Sequence, residues 1–383
     1  MKKLNFYIAF ALSILALQSC ETEEIGENSQ TETFNDQAQP TGIYAMSIEN
    51  GISKKCNNNI LVFPDLETFR QTAQQLDDEW EAAIDAVNTG IDPKMSDEDY
   101  QDYLDAIGFN ENQPYIDFEE AYQFCSLRKD ILEKEMVWLS QQGEGKWDAA
   151  KDPDNHYIWD EERPLLNPQS EVIIKDSIGD DIIYKFFEGG YITITNNDYA
   201  ELREFNLNGL PSNPDNSRFH PYGIDYDSSE FGDLVAWSNF PDFPQSGGDD
   251  PHCTEDKRHE KYFSTGSKTK IKAVDKFRST AKFFTQNKIK AKTKYYRKKL
   301  LGWTLGRTTI TANLETFDGL NCGSGWTFNP VFKTRKASKV KAVVCKSYFQ
   351  QYKPKVIDNI LYGTHKRRDD VVKVIDLYDG NVQ

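Results

Sequence analysis

Cys20 is the residue whose surroundings most clearly indicate a chemical modification. It closes the sequence Leu17–Cys20, which ends an apolar run over residues 4–17 that follows two basic residues. A basic start, an apolar core and a small residue before a cysteine are typical of a bacterial lipoprotein signal, whose cysteine thiol takes the lipid. The run of about 14 residues is too short for a membrane-spanning helix, which needs about 20. We therefore expect residues 1–19 to be a signal peptide and Cys20 to carry the lipid anchor.

A second pattern with chemical potential is the alternation of lysines with apolar or small residues over positions 288–295. Successive side chains of a strand point to opposite faces, so this alternation predicts a strand with its lysines on one face. Such a face could bind a polyanion, such as nucleic acid, an acidic glycan or lipopolysaccharide. The candidate residues are Lys288, Lys290, Lys292, Lys294, Arg297, Lys298 and Lys299. The alternative is a solvated strand face whose charges discourage pairing between sheet edges.

The cysteines that follow Cys20 allow disulfides, because export leads to an oxidising compartment. They are Cys56, Cys125, Cys253, Cys322 and Cys345. We expect a disulfide between Cys322 and Cys345, which both lie in a region with strand patterns, and a buried free thiol at Cys125. The spacings contain no Cys-x-x-Cys, so the sequence indicates neither a redox motif nor a zinc site.

Catalytic and cofactor motifs are absent from the sequence. It has no His-Glu-x-x-His, no phosphate-binding glycine loop and no Gly-x-Ser-x-Gly. We expect the histidines to be incidental surface residues; they are His156, His220, His252, His259 and His365. The sequence predicts no cofactor, and no enzyme activity can be assigned from a motif.

A calcium loop is the metal site that the spacing comes nearest to. Asp225, Asp227 and Ser229 occupy alternate positions, but Glu230 stands where the loop needs glycine and Ala236 where it needs glutamate. We therefore predict no metal. A glycosidase would need two carboxylates at a set separation, and with 61 Asp and Glu the sequence cannot single out such a pair.

The charge of the chain is divided unevenly. Its net charge is -16, but residues 1–250 carry 16 Lys and Arg against 50 Asp and Glu, whereas residues 251–383 carry 29 against 11. This asymmetry indicates two domains or a basic interaction surface. The alternatives are that the two halves attract each other or that each has a solvated surface.

The hydrophobic periodicity predicts an α+β protein. Helices are expected over 66–90, 96–107 and 118–139, a β-hairpin meander over 172–195, and an antiparallel sandwich-like arrangement in the basic region. Proline and glycine interrupt residues 207–254. The predicted organisation is a signal peptide (1–19), a flexible tether (20–55), an acidic α+β domain (56–206), an irregular linker (207–254) and a basic β domain (255–383).

Several short segments carry a family resemblance: they are Ile60–Phe63, Phe124–Arg128, Glu135 with Trp138-Leu139, Leu165–Asn167, Glu171-Val172, Ile183–Lys185, Tyr191–Ile194 and Lys268–Trp303. These segments resemble uncharacterised surface lipoproteins of the Bacteroidetes. The acidic run after Cys20 is similar to the tag of surface-exposed members. The resemblance implies a location at the outer membrane and an architecture, without an assigned activity.

The leading hypothesis is therefore a non-catalytic, lipid-anchored lipoprotein of the outer membrane, exposed at the cell surface. It would bind a glycan, a protein or an envelope partner, with no specific nucleic acid. One alternative is a surface glycan hydrolase with a carboxylate pair. The other is a structural subunit of an outer-membrane complex.

Overall fold

The structure is a computed structural model with an α+β fold, the class that the sequence predicts. It describes residues 42–47, 59–92, 94–187, 190–195, 219–221, 257–278, 286–300, 302–316, 330–347, 361–376 and 382. In these ranges the α-helices are α1 (Leu66–Asn88), α2 (Asp97–Ala106), α3 (Gln113–Ala121) and α4 (Leu127–Ser140). No described helix is both long enough and apolar enough to span a bilayer.

Capping residues set the helix starts. The Asp65 side chain accepts from the Thr68 backbone N–H at the start of α1, and Ser96 accepts from Asp99 at the start of α2. Side-chain oxygens at these positions satisfy N–H groups that have no partner inside the helix. The Ser96 hydroxyl also donates to the Asp99 carboxylate at 2.7 Å.

The first sheet lies in the amino-terminal half. Its strands are β1 (Tyr44–Ser47), β2 (Asn59–Phe63), β3 (Glu171–Lys175), β4 (Asp181–Phe187), β5 (Gly190–Thr195) and β6 (Phe219–Pro221). They pair in sequence order, all antiparallel except β2 with β3. The helices cover this sheet, and Phe63, Phe69 and Trp80 form part of the buried core between them. The predicted meander over 172–195 is confirmed by β3, β4 and β5.

The remaining strands form two further sheets. They are β7 (Lys257–Gly266), β8 (Thr269–Arg278), β9 (Gln286–Lys299), β10 (Gly302–Leu305), β11 (Thr308–Thr316), β12 (Val331–Ala337), β13 (Lys339–Ser347), β14 (Leu361–Arg367) and β15 (Lys373–Asp376). The second sheet has the order β10-β9-β8-β7, with β13 also paired to β9, and the third has the order β12-β11-β14-β15.

These two sheets pack face to face over an apolar core. Ile271, Ile289 and Ala291 from the second sheet meet Ile310 and Ala312 from the third. Each of these residues alternates with a polar neighbour along its strand, as expected for sheets that bury one face against each other. The sandwich-like arrangement predicted for the basic region matches this packing.

The helix predicted over 118–139 is wrong in its extent. The chain leaves the helical path between α3 and α4, where Gln123 has a φ of 49°. Ser126 then caps α4 by accepting from the Lys129 N–H. The apolar periodicity continues across this break, because Phe124 and Leu127 are both buried on the same side as the rest of α4. Periodicity alone could not locate it.

Candidate functional site

A groove lies between α3 and α4 in the described part of the chain. Its volume is about 680 Å³. The polar side chains along it include Asn110, Asn112, Glu119, Gln123, Arg128 and Glu133. The apolar side chains at its floor and rim include Ile116, Leu132 and Met136, of which Met136 is 60% exposed. We call this feature the α3–α4 groove.

Arg128 is fixed in place by three neighbours. Its guanidinium donates to the Glu119 carboxylate at 2.9 Å and to the Asn112 amide oxygen at 3.3 Å, and it lies 4.8 Å from the centre of the Tyr115 ring. Glu119 is buried and also accepts from the Ser126 hydroxyl. Since the charge of Arg128 is matched inside the groove, the groove offers a ligand oriented hydrogen-bonding groups more than a free positive charge.

Gln123 adopts the left-handed backbone conformation that usually falls to glycine, at a cost of about 1–2 kcal/mol. The Gln123 and Phe124 N–H groups donate to the Glu120 and Glu119 carbonyls, and Asn59 donates to the Gln123 carbonyl at 2.9 Å. These bonds hold the strained residue in place. The exposed Gln123 side chain therefore stands on a rigid backbone at the edge of the groove.

Cys125 also lines the α3–α4 groove, and it is disulfide-bonded. The prediction of a free thiol there is therefore wrong. Cys125 lies between the helices rather than within one, directly before the α4 cap. The predicted Cys322–Cys345 disulfide lies outside the described residues, because Cys322 and the Cys345 side chain are not among them.

The lysines predicted to form a polyanion-binding face are buried where the structure describes them. Lys290, Lys292 and Lys294 point away from the apolar core of the sandwich, so the predicted alternation of β9 is confirmed. The amino-terminal half covers their side, however, and each is at most 5% exposed. The expected exposed face is thus not found at these three positions; carboxylates of the acidic half lie against these lysines and neutralise their charge.

The other members of that candidate set differ in their surroundings. Lys298 is partly exposed and donates to Glu144 at 2.7 Å, Lys299 is exposed, and Arg297 is half-buried. The Lys288 side chain lies outside the described residues. The set therefore does not form one continuous surface.

The buried ion pairs join the two halves of the sequence. We call the covered side of the second sheet the lysine face; its buried lysines are Lys270, Lys272, Lys276, Lys290, Lys292, Lys294 and Lys341. Lys341 bonds to Asp77 of α1, and Lys294 donates to Glu135 of α4 at 2.6 Å. The sequence offered the mutual attraction of the two halves as an alternative, and the structure shows that attraction directly.

Asp154 is the centre of this network. One of its carboxylate oxygens lies 3.0 Å from Lys272, 3.3 Å from Lys292 and 3.1 Å from Lys294, and the other lies 2.9 Å from Arg163. Burial alone would raise the pKa of Asp154, but the four cations outweigh it and hold that pKa well below its usual range. The carboxylate therefore stays charged inside the protein.

Asp160 is a second buried carboxylate held charged by neighbouring cations. Burial would raise its pKa, but Lys290, Lys292 and Arg163 hold that pKa well below its usual range. Lys292 donates to Asp160 at 2.9 Å. Both carboxylates act as counter-ions of the lysine face rather than as proton donors.

The expectation of surface histidines is wrong for His365, which is fully buried, whereas His156 and His259 are half-buried. Burial, followed by Arg163 and Lys276, lowers the pKa of His156 to about 3, and its Nδ1 accepts from the Ile158 N–H at 3.1 Å. His365 is fully buried and lies 3.1 Å from Asp275. The His220 and His252 side chains lie outside the described residues.

Asp275, His365 and Thr293 are hydrogen-bonded in the order carboxylate, imidazole, hydroxyl, as in a hydrolytic triad. Their burial excludes a catalytic role. The Thr293 hydroxyl donates to the Thr311 carbonyl at 2.6 Å and lies 2.9 Å from the His365 Nδ1. All three residues are fully buried between the sandwich sheets, so a substrate cannot reach the hydroxyl. The group links the two sheets through hydrogen bonds.

Two further predictions concern residues outside the described ranges. Cys20, the predicted lipidation site, is one, and the rejected calcium loop at 225–236 is the other. Among the residues that are described, no cluster of His, Cys, Asp and Glu could hold a metal ion.

Comparison with known proteins gives little further guidance. No protein-family model matches the chain, and neither does any curated protein. Among solved structures, it is similar to the crystal structure of a DUF4848 family protein from Bacteroides thetaiotaomicron, at 10% identity and a TM-score of 0.20. The similarity covers 88% of this chain and 97% of the other.

Proposed function

We propose that the protein is a lipid-anchored lipoprotein of the outer membrane, exposed at the cell surface, where it acts as a non-catalytic binding module. Its ligand would be a neutral glycan held in the α3–α4 groove. The anchor rests on the signal pattern that ends at Cys20. The binding role rests on the groove, because the strained Gln123 is held there with its side chain at the rim.

The polar groups of the groove suit hydroxyl groups. Asn110, Asn112 and Gln123 supply amides that can both donate and accept. The lining includes three carboxylates against two cations, and Glu119 already neutralises Arg128. Because carboxylates outnumber cations along the groove, an anionic ligand would meet a net negative charge, whereas a sugar needs only hydrogen bonds and apolar contact.

The hydrolase alternative finds less support in this groove. Glu119, Glu120 and Glu133 all line it, but no Trp or Tyr does. Glu119 is also occupied by Arg128 and Ser126. A carboxylate pair flanked by an aromatic platform is thus not found along the groove. No described feature favours the structural-subunit alternative.

An array of neutral oligosaccharides tests the binding role. Gln123→Gly removes the side chain while retaining a backbone conformation that glycine adopts readily. We expect the wild-type chain to bind at least one oligosaccharide and Gln123→Gly to bind it at least tenfold more weakly. Ser170→Gly is the matched control, because Ser170 also has a positive φ (63°) and does not line the groove; it should bind like the wild type.

Two results would contradict this assignment. One is wild-type protein that binds none of the neutral sugars but does bind peptides. The other is equal binding by Gln123→Gly and Ser170→Gly. The anchor is tested separately by acyl labelling: Cys20→Ala should lose the label and leave the membrane fraction, and unchanged labelling would refute the lipid anchor.

A further inference from the structure

The turn between β9 and β10 presents a leucine to solvent. Lys299 pairs with Gly302 at the ends of the two strands, so two residues connect them, at positions 300 and 301. Leu300 is 99% exposed, the largest exposed fraction among the large apolar side chains that the structure describes. We call the turn at Leu300 the leucine turn.

The fold itself gives no reason for a leucine at this position. Two-residue hairpin turns favour glycine, asparagine and aspartate, because their central residues need backbone conformations that other side chains disfavour. A fully exposed Leu300 also adds no buried apolar area to the protein. The leucine thus helps neither the turn nor the core, which favours a contact outside the chain.

The leucine turn stands on a rigid base. Gly302 has a φ of 116° and packs so closely on the end of α4 that a Cβ would lie 3.0 Å from the Ser140 carbonyl oxygen. Trp303, the next residue, is buried, and its ring centre lies 5.0 Å from that of Trp147. Leu300 is therefore displayed at a fixed place beside the carboxyl end of α4.

Lysines surround the leucine turn. Lys299 is exposed and Lys298 is partly exposed. The Lys298 backbone N–H donates to the Lys268 carbonyl at 2.8 Å, which brings a third lysine, itself exposed, alongside. Glu144 is an acidic neighbour and accepts from the Lys298 ammonium at 2.7 Å. Three lysines against this one carboxylate give the turn a basic rim.

A second exposed apolar side chain lies at the same end of the molecule. Val137 of α4 is 58% exposed, and its carbonyl accepts from the Ser140 hydroxyl at 2.7 Å. Residues three apart on a helix are neighbours on its surface, and Ser140 is the residue against which Gly302 packs. Apolar side chains and lysines thus occur together around the leucine turn.

We propose that the leucine turn inserts into the surface of an anionic lipid bilayer, as a membrane contact separate from the anchor at Cys20. Leu300 would enter the boundary between headgroups and acyl chains, while the lysines stay with the anionic headgroups. The charge of such a bilayer complements the basic rim. A bilayer also accepts a single projecting leucine without a shaped cavity, which a protein partner would have to provide.

Cosedimentation with lipid vesicles tests this proposal on residues 21–383, which retain every residue that the structure describes. Removal of the signal peptide and of Cys20 separates this contact from the lipid anchor. We expect the chain to bind vesicles of phosphatidylglycerol and phosphatidylcholine in equal parts, and to bind pure phosphatidylcholine far more weakly. Binding should weaken as salt is added, because salt screens exposed charges.

Leu300→Ser should bind the anionic vesicles about tenfold more weakly, because one leucine side chain no longer leaves water. Lys299→Gln should weaken binding about fivefold at low salt, through the loss of one cation near the bilayer. The matched control is Ile178→Ser: Ile178 is an 81% exposed apolar residue between β3 and β4, next to acidic Asp176 and Asp180. It should bind like the unsubstituted chain. Both serine variants should retain its Tm, because the side chains they change are exposed.

Three results would overturn the proposal. One is an unsubstituted chain that binds anionic vesicles no better than phosphatidylcholine. Another is equal vesicle binding by Leu300→Ser and Ile178→Ser. The third is Leu300→Ser that keeps vesicle binding but loses a protein that copurifies with the unsubstituted chain, which would make the turn a protein contact.

Discussion

Asp154→Asn should destabilise the protein more than any exposed charge change. The substitution retains the size of the side chain and removes the negative charge shared by Lys272, Lys292, Lys294 and Arg163. All of these groups are buried, so water cannot replace the lost interaction. Removing one partner from a buried ion pair leaves an uncompensated charge, which costs about 3–5 kcal/mol.

Although four cations contact Asp154, the expected loss of stability is that of one unmatched charge and not of four. Lys272 retains Asp152 at 2.7 Å, Lys294 retains Glu135 at 2.6 Å, and Lys292 retains Asp160 at 2.9 Å. Each lysine thus has a second carboxylate after the change. A loss of about 3–5 kcal/mol is a large share of the roughly 5–15 kcal/mol by which folded proteins are stable. The variant should still fold, but its unfolding midpoint should lie at a clearly lower urea concentration.

Urea denaturation at pH 7 measures this loss. The matched control is Asp130→Asn, which breaks the exposed Asp130–Lys134 pair of α4 and should cost at most about 1 kcal/mol. Adding Lys292→Met to Asp154→Asn should recover part of the loss, because the buried cluster then has one positive charge fewer to balance the lost negative charge. If Asp154→Asn lies within about 1 kcal/mol of the wild type, the network is not the buried contact described here.

The remaining predictions concern pH and strain. The free energy of unfolding should fall as pH drops below about 4, the usual Asp pKa. Burial would raise the pKa of Asp154 and Asp160, but neighbouring cations lower it below the pKa that each group has in the unfolded chain. The two carboxylates therefore stabilise the fold fully at pH values above the unfolded-state pKa, and this stabilisation is lost as pH falls through the folded-state pKa. Equal urea midpoints at pH 7 and pH 3 would contradict this. The His156 ring should stay neutral from pH 7 to pH 4 by NMR, because burial and Arg163 lower its pKa to about 3, and a titration near pH 6.5 would refute that environment. Gln123→Gly should raise the free energy of unfolding by up to about 1 kcal/mol, because it relieves a left-handed backbone; a loss of stability in urea would show that the side chain packs.

Local signals explain what the sequence could predict. Asp65 and Ser96 each lie three residues from the N–H group from which they accept, and the apolar residues of α1 recur every three or four positions, so these signals can be read from the sequence. Strand alternation is equally local, which is why the two faces of β9 were predicted correctly.

Which residues cover a strand face depends on distant parts of the chain and cannot be read from the strand's own sequence. Lys294 meets Glu135 and Asp154, which precede it by 159 and 140 residues. The lysine pattern was therefore compatible with a solvated face and with a buried one. The charge imbalance between the two halves was the one signal of their attraction, and it could not show which residues meet.

The α3–α4 groove depends on a break that has no clear sequence signal. Gln123 occupies a position where glycine would have marked the end of a helix. The apolar periodicity from α3 into α4 hides the change of direction. Ser126 was the one available indication, since serine is a preferred helix cap.

Acetylation of the folded protein, followed by mass spectrometry, most directly tests the claim that the lysine face is buried between the two halves. Lys290, Lys292 and Lys294 should remain unmodified under conditions that modify the exposed Lys299 completely. All four should react in urea, which controls for reagent access. Modification of the three β9 lysines at the rate of Lys299 in the folded protein would contradict the account, because the face would then be open to solvent.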